Sequence, residues 1–418
     1  MGILARIVGS LETAGAAAAI GGRTVLGVDT NPVPADWTHV TKVDPEGEKR
    51  LPLWYPLYLQ HTSAVEVGGS RDVTGDNAQE TLELVADRPS PAIQEPSAAR
   101  HVTEETRELA EFLAIPEVVN GDAEAMVGTL GEGIEYVKTE LGPQMLRRTL
   151  PVPLGGLEDR LADFAASWML REEVFEAYII MNLDSAAARE GNVTEDGLLS
   201  PEQARQRALA VEHYLESEII YLEYSGTFGG EEAVDLLAAI DDAVSAPRIW
   251  YGGGLDSREN AEAVLEAGAD SVVVGNVFHE VAAEEREHCE AAAAALDADA
   301  DREAVAEWVD QTVDVAESSA ARYLSTNPDV ADPAALAERY LVTTISTYLD
   351  LRALAEETRE ADSLAEIDAA LDGAGVPGAT RLAGVVDGDF HRRLVRSVLA
   401  AEADLSPDLP VSHLAVGF

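Results

Sequence analysis

Three short β-branched or aromatic runs in the middle of the chain each lead directly into a glycine-bearing loop. The runs occupy residues 218–221, 248–251 and 271–274, and a helical segment at 257–268 separates the last two. This alternation of strand, loop and helix is the repeating unit of a parallel α/β barrel. Glycine lets backbone N–H groups approach a phosphate closely, and the loops after late barrel strands commonly hold one. The pattern therefore predicts a phosphorylated small-molecule substrate.

Five further strand–loop units precede these three, which brings the total to the number that closes a (β/α)8 barrel. They are predicted at residues 38–43, 64–67, 91–94, 115–119 and 177–181. The sequence thus predicts an α/β fold, a modified (β/α)8 TIM barrel with an insertion and a C-terminal all-helical extension.

The chain is longer than a minimal barrel, and we expect three units. Residues 1–36 form an N-terminal lead-in helix, residues 37–285 the barrel domain, and residues 286–418 a helical extension. Within the barrel, the connection at about 121–176 is too long for an ordinary link and is predicted to be an insertion. Asp332 and Pro333 are a typical cap and first turn of a long helix. For the extension we expect a role in packing or dimerisation.

Composition excludes several classes of function. The chain has 77 acidic and 29 basic residues, a formal net charge of −48, spread along its whole length. This charge argues against nucleic-acid binding and fits a protein that stays soluble in high salt, although a generic acidic protein is the alternative. A single cysteine, Cys289, excludes an internal disulfide, and its acidic surroundings predict an inert thiol. No apolar run reaches the ~20 residues of a membrane span, so we expect a cytoplasmic protein.

Five motifs follow successive strands in a recognisable order. They are Lys42-Val43-Asp44-Pro45, Gly68-Gly69-Ser70, Tyr221-Leu222-Glu223-Tyr224-Ser225-Gly226, Tyr251-Gly252-Gly253-Gly254 and Val274-Gly275-Asn276. In this order they resemble the geranylgeranylglyceryl phosphate synthase family, the phosphoglycerol prenyltransferases of archaeal ether-lipid synthesis, in its halophilic archaeal form. The resemblance covers residues 36–285.

The resemblance implies an Mg²⁺-assisted transfer of a geranylgeranyl group from its diphosphate to sn-glycerol 1-phosphate. Asp44 and Ser70 would bind the magnesium ion, and Glu223 and Asp44 would be the catalytic residues. The substrate-binding residues implied are Lys42, Tyr221, Leu222, Glu223, Tyr224, Ser225, Gly226, Gly253, Gly254, Gly275 and Asn276. Carboxylate and hydroxyl oxygens suit Mg²⁺, and Glu223 is expected to accept the proton of the attacking hydroxyl.

The resemblance also implies a homo-oligomer, in the simplest case a dimer, and transient peripheral contact with a membrane. A long prenyl chain needs a lateral groove, whose wall we expect in residues 96–111 or in the insertion. Glu46 departs from the usual second aspartate of the Asp44 loop. The insertion and the extension lie outside the minimal family pattern.

Other interpretations remain open at this point. Glu223 could instead pair with Arg248 or Lys42, and Tyr221 could belong to the core. The chain could be another phosphate-binding barrel of the phosphosugar isomerase or aldolase type, with Lys42 as the candidate lysine. It could also be a catalytically silent barrel that binds a lipid or a phosphate. The pair His279 and Glu280 does not complete a zinc-protease motif, because position 283 is alanine.

Overall fold

Eight parallel strands form a single barrel, as predicted. The computed structural model describes residues 26, 28–86, 90–149, 158–297 and 299–417. The strands hydrogen-bond in the order β3-β2-β1-β8-β7-β6-β5-β4. The seam between β3 and β4 is completed by a short bridge between Gln94 and Leu113. The strands are β1 His39–Val43, β2 Ala64–Val67, β3 Ala92–Gln94, β4 Ala114–Val118, β5 Val174–Ile180, β6 Ile219–Glu223, β7 Arg248–Gly252 and β8 Ser271–Val274.

Helices follow most strands and continue after β8. Those of the barrel region are α1 Pro56–Leu59, α2 Gly75–Val85, α3 Glu104–Leu109, α4 Thr129–Tyr136, α5 Gly142–Thr149, α6 Glu158–Glu172, α7 Ala186–Glu190, α8 Pro201–Ala210, α9 Gly230–Asp241, α10 Arg258–Glu266 and α11 Asn276–Ala295. The remaining helices are α12 Arg302–Thr312, α13 Ser319–Ser325, α14 Pro333–Thr358, α15 Leu364–Ala374 and α16 Gly388–Glu402. In α14, Asp332 caps the first turn through the N–H of Ala335, and Pro333 is the first residue.

Alternation along the strands produces two apolar layers. One lies inside the barrel and includes Val40, Tyr178 and Tyr221. The other lies between the strands and the surrounding helices and includes Val43 and Leu222. Because side chains point alternately inward and outward, the residues that reach the barrel interior recur at every second position.

The C-terminal helices cover the barrel wall beside β1. The helix that follows β1, α1, has only 4 residues, and α13 and α14 lie over the neighbouring wall. The Tyr323 hydroxyl is 2.7 Å from Thr41 Oγ1, and Thr326 Oγ1 is 3.0 Å from His39 Nε2. All four residues are buried. The extension therefore covers the outer face of β1, next to the short helix α1.

The lead-in helix falls largely on residues outside the described part of the chain, but Asn31 binds the carbonyls of Glu218 and Ala246 at the amino ends of β6 and β7. Helix α11 runs without interruption through residues 285 and 286, where the sequence suggested a boundary. Within the described residues, no helix has the length and apolar character needed to cross a bilayer.

Candidate functional site

Glu223 is the last residue of β6, and its side chain points into the mouth of the barrel. Its Oε1 accepts a hydrogen bond from the Ser225 N–H at 3.0 Å and another from the Ser225 hydroxyl. Burial raises the pKa of Glu223 to about 7, against the lowering effect of Lys42 and of Ser225. A carboxylate with such a pKa can accept a proton near neutral pH. Glu223 forms an ion pair with neither Arg248 nor Lys42, which bind other carboxylates.

Tyr221 lies one layer below Glu223, inside the barrel. Its ring stacks on that of Tyr178, with centroids 4.5 Å apart. The Lys42 ammonium lies 5.7 Å from the centroid of the Tyr221 ring. A Cβ at Gly252 would collide with the Tyr221 hydroxyl, so glycine at this position lets the ring reach the site.

Leu222 and Tyr224, both predicted to bind substrate, point to the other side of β6. Their side chains belong to the apolar layer between the strands and the helices. The Tyr224 ring packs on Tyr251, with centroids 6.1 Å apart. At these two positions only the backbone borders the mouth. Ser225 and Gly226 follow as exposed residues at its rim.

The loops after β7 and β8 supply backbone donors. Gly254 has φ +52°, and a Cβ there would collide with the backbone of Thr227 and Phe228. Gly275 precedes the first residue of α11, Asn276, which is exposed. A helix amino terminus and a glycine-rich loop both favour an anion. The predicted phosphate-binding residues thus lie on the loops after β7 and β8, the strands that follow β6 around the barrel.

Lys42 is held by two carboxylates on neighbouring strands. Its Nζ lies 3.1 Å from Glu66 Oε1 and 2.5 Å from Glu95 Oε2. The Tyr178 hydroxyl donates to Glu95 Oε1 at 2.5 Å. Although burial alone would lower the pKa of Lys42, Glu66 and Glu95 raise it well above its ordinary value. Lys42 therefore stays charged.

Sequence reasoning did not assign Glu66, Glu95 or Glu176 to the site. Glu66 and Glu176 are fully buried, and one carboxylate oxygen from each of the three residues lies within 4.8 Å of the others. The available signal was a lone acidic residue inside an otherwise apolar strand, in Ala64–Val67 and again in Val174–Ile180. Such a residue is rarely buried without a partner.

Asp44 lies in the loop after β1, next to the loop after β2. Lys49 forms an ion pair with its carboxylate, and the Asp44 N–H donates to His279 Nε2 at 3.1 Å. A Cβ on Gly69 would lie 3.1 Å from Asp44 Oδ1, so the two loops touch. Ser70 follows as an exposed residue. The structure thus places the two predicted metal ligands on adjacent loops.

Comparisons with known proteins assign the chain to a family. The sequence profile of the PcrB family matches residues 34–295. A geranylgeranylglyceryl phosphate synthase of Halobacterium salinarum is 30% identical over 253 residues, which cover 59% of this chain and 89% of the relative. The enzyme of the same name from Methanocella arvoryzae is 26% identical over 243 residues, covering 58% of this chain and 90% of the relative. The chain belongs to the PcrB family.

Proposed function

We propose that the protein is a prenyltransferase that joins sn-glycerol 1-phosphate to geranylgeranyl diphosphate and releases diphosphate. The product, geranylgeranylglyceryl phosphate, carries the first ether bond of an archaeal membrane lipid. The observation that supports this most is Glu223, a buried acid with a pKa of about 7 that lies in register with Gly252, at the start of the glycine-bearing loop after β7. The names of the relatives point to the same reaction.

The phosphate of the acceptor would bind where the loops after β7 and β8 meet. Gly253, Gly254, Gly275 and Asn276 would donate backbone N–H groups, and the amino terminus of α11 favours the negative charge. Ser225 and Gly226 would border the glycerol carbons. With the phosphate and the glycerol carbons bound in this way, the glycerol 3-hydroxyl would face Glu223.

Glu223 would act as the general base. Ser225 holds Oε1, so Oε2 is the oxygen that we assign to the glycerol hydroxyl. That hydroxyl oxygen forms a bond to C1 of the prenyl group, its proton passes to Glu223, and the C1–O bond to diphosphate breaks with the electron pair leaving on diphosphate. The Tyr221 and Tyr178 rings, stacked beneath Glu223, offer aromatic faces to positive charge that develops at the allylic carbon.

Magnesium fits the donor set at the Asp44 loop. Asp44 offers a carboxylate and Ser70 a hydroxyl, both hard oxygen ligands. When bound, the ion would neutralise charge on the leaving diphosphate. Lys49 already pairs with Asp44 and Glu46, so this lysine adds a positive charge at the place where diphosphate would sit.

The groove for the prenyl chain would lie near the weak seam between β3 and β4. There Val102, Leu113, Leu141 and Met169 form a small apolar cluster of their own. The Tyr136 hydroxyl donates to the Val102 carbonyl at 3.1 Å, which joins the segment after β3 to the insertion. We propose that these two segments border the chain. A homo-oligomer and peripheral membrane contact belong to the same proposal.

The environment of Lys42 disfavours an aldolase. A lysine that forms a Schiff base needs a neutral amine, which a depressed pKa supplies. Glu66 and Glu95 have the opposite effect on Lys42.

The experiment is a turnover assay in high-salt buffer with Mg²⁺. Geranylgeranyl diphosphate is offered with sn-glycerol 1-phosphate or with its 3-phosphate mirror image. We expect ether product from the 1-phosphate and its loss in Glu223→Gln and Asp44→Asn. Glu117→Gln is the matched control, because Glu117 is another buried strand glutamate and accepts a hydrogen bond from the Ser217 hydroxyl. Phosphate binding without product from any prenyl donor would contradict the proposal and favour a silent barrel.

A further inference from the structure

The barrel interior gathers three acidic side chains around a single lysine. Glu66, Glu95 and Glu176 converge from β2, the end of β3 and β5, and Lys42 is the cation that contacts two of them. When all three carboxylates are ionised, they and the Lys42 ammonium carry a net charge of −2. Unbalanced charge of this kind is very unfavourable in a buried site.

Glu176 has no hydrogen-bond donor among the described residues, for either of its carboxylate oxygens, and it is fully buried. Glu66 Oε2 is likewise without a donor, since Lys42 binds Oε1. Buried polar atoms are nearly always satisfied in folded proteins. The free oxygens therefore mark a place that a hydrogen-bond donor or a cation would occupy.

The spacing of these oxygens suits one metal ion. Three oxygen atoms that lie within 4.8 Å of one another lie within about 2.8 Å of a common point, so small side-chain movements would bring all three to about 2.4 Å from a central ion, the ordinary distance for a hard divalent cation. One divalent cation also cancels the charge of −2. We propose that Glu66, Glu95 and Glu176 bind one hard divalent cation inside the barrel, at a site separate from the Asp44 loop.

An entry route and the local electrostatics support this assignment. The Glu95 and Lys42 side chains are 13% and 20% exposed, whereas that of Glu66 is fully buried, so the cluster opens towards the barrel mouth. Burial, opposed by Lys42 and reinforced by Glu95, raises the pKa of Glu66 to about 8. Burial and the charges of Glu66 and Glu95 also raise the pKa of Glu176 well above its ordinary value. Without an ion, these side chains therefore favour the protonated form of Glu66 and Glu176, and a bound cation would displace their protons.

The site would have a structural consequence for the reaction centre. A cation on Glu176 and on Glu66 Oε2 leaves Lys42 its contact with Glu66 Oε1. It also fixes Glu95, which accepts from the Tyr178 hydroxyl, and Tyr178 supports the Tyr221 ring. The ion would hold Glu95, Tyr178 and Tyr221 in position below Glu223, and it would contact no substrate. This role does not depend on the identity of the substrate.

The test uses the full chain, stripped with a chelator and titrated with Mn²⁺ in high potassium chloride, which suppresses binding to the acidic surface. Bound Mn²⁺ is followed by electron paramagnetic resonance, and thermal unfolding is measured in parallel. We expect Glu176→Gln to weaken the interior site by roughly tenfold or more, and to lose the rise in Tm that Mn²⁺ gives the parent protein. Glu66→Gln serves as a second variant if Glu176→Gln does not fold.

Two controls separate this site from others. Asp44→Asn should keep the interior ion even if it loses the ion of the loop, and Glu117→Gln should bind as the parent does. Equal Mn²⁺ binding by the parent and by Glu176→Gln would overturn the proposal. So would the absence of any bound Mn²⁺ in Asp44→Asn, since two buried protons would then balance the charge. Neither readout requires prenyl transfer, so a failure here is distinct from a failure of the proposed function.

Discussion

The hydroxyl groups of Thr41 and Tyr323 lie 2.7 Å apart in a buried contact that joins the first barrel strand to the C-terminal helices. Thr41 is adjacent in sequence to Lys42, whose side chain points to the opposite side of the strand. The extension therefore holds the outer side of a strand whose inner side forms the site.

We expect Tyr323→Phe to lower the free energy of unfolding by about 1 kcal/mol, because one buried hydrogen bond is lost. Tyr323→Ala should lower it by roughly 3–5 kcal/mol, since an aromatic core side chain is removed. Chemical denaturation measures both, with Tyr214→Phe, at 84% exposed, as a control that should change little. If Tyr323→Ala is as stable as the parent, the extension does not support the barrel.

The pH dependence of turnover should report Glu223. Its pKa is raised to about 7, and only the ionised form accepts a proton. We expect kcat/KM to rise with pH through about 7 and then level off, and Glu223→Gln to reduce kcat by roughly 10²–10⁴. A profile of unchanged shape in residual Glu223→Gln activity would assign the titration to another group.

The stability of the protein should fall between about pH 4.5 and pH 7 in part because of Glu285. Burial raises its pKa from 4.5 to about 7, although Tyr58 and Thr344 lower it by hydrogen bonding. The unfolded state therefore releases this proton first as the pH rises, which removes up to about 3 kcal/mol of stability by pH 7. Denaturation across this range should show a smaller slope for Glu285→Gln. Glu287→Gln, exposed on the same helix, should leave the slope unchanged.

Gly254→Ala should weaken binding of the glycerol phosphate substrate. The positive φ and the clash with Thr227 and Phe228 would displace the loop whose N–H groups we assign to phosphate. Calorimetric titration compares its affinity with that of Gly373→Ala, where a Cβ meets nothing within 4 Å. The control should bind normally and gain up to about 1 kcal/mol of helix stability. Normal affinity in Gly254→Ala would remove this loop from the phosphate site.

Salt should stabilise the protein. The chain has a net charge of −48, so its acidic side chains repel one another in the folded state. Salt weakens this repulsion, because the screening length falls from about 10 Å at 0.1 M to about 3 Å at 1 M ionic strength. We expect Tm to rise steadily with potassium chloride over this range. A Tm that falls or stays constant would contradict the interpretation of the acidic surface as an adaptation to salt.

The eight strands could be predicted because each is a short β-branched or aromatic run that ends in a turn. Alternation within β6 also places Leu222 and Tyr224 opposite Glu223, so their outward orientation could have been read from the sequence. The meeting of Glu66, Glu95 and Glu176 could not, because it depends on how the strands are staggered around the barrel. The packing of α13 on β1 could not be predicted either, because Thr41 and Tyr323 are far apart in the sequence and no local pattern links them.

Residues 413–415 of the extension pair with the segment that follows β1. The Leu51 N–H donates to the His413 carbonyl at 2.9 Å, and the Ala415 N–H donates to the Leu51 carbonyl at 2.8 Å. Leu51 comes two residues after Lys49, the partner of Asp44. Synthesis proceeds at roughly 5–20 residues per second. About 20 s or longer would therefore pass between the synthesis of Leu51 and that of its partners His413 and Ala415. The loop that carries Asp44 should therefore reach its final position only after residue 415 has left the ribosome, and a ribosome stalled earlier in the extension should hold a barrel in which Leu51 lacks these two hydrogen bonds.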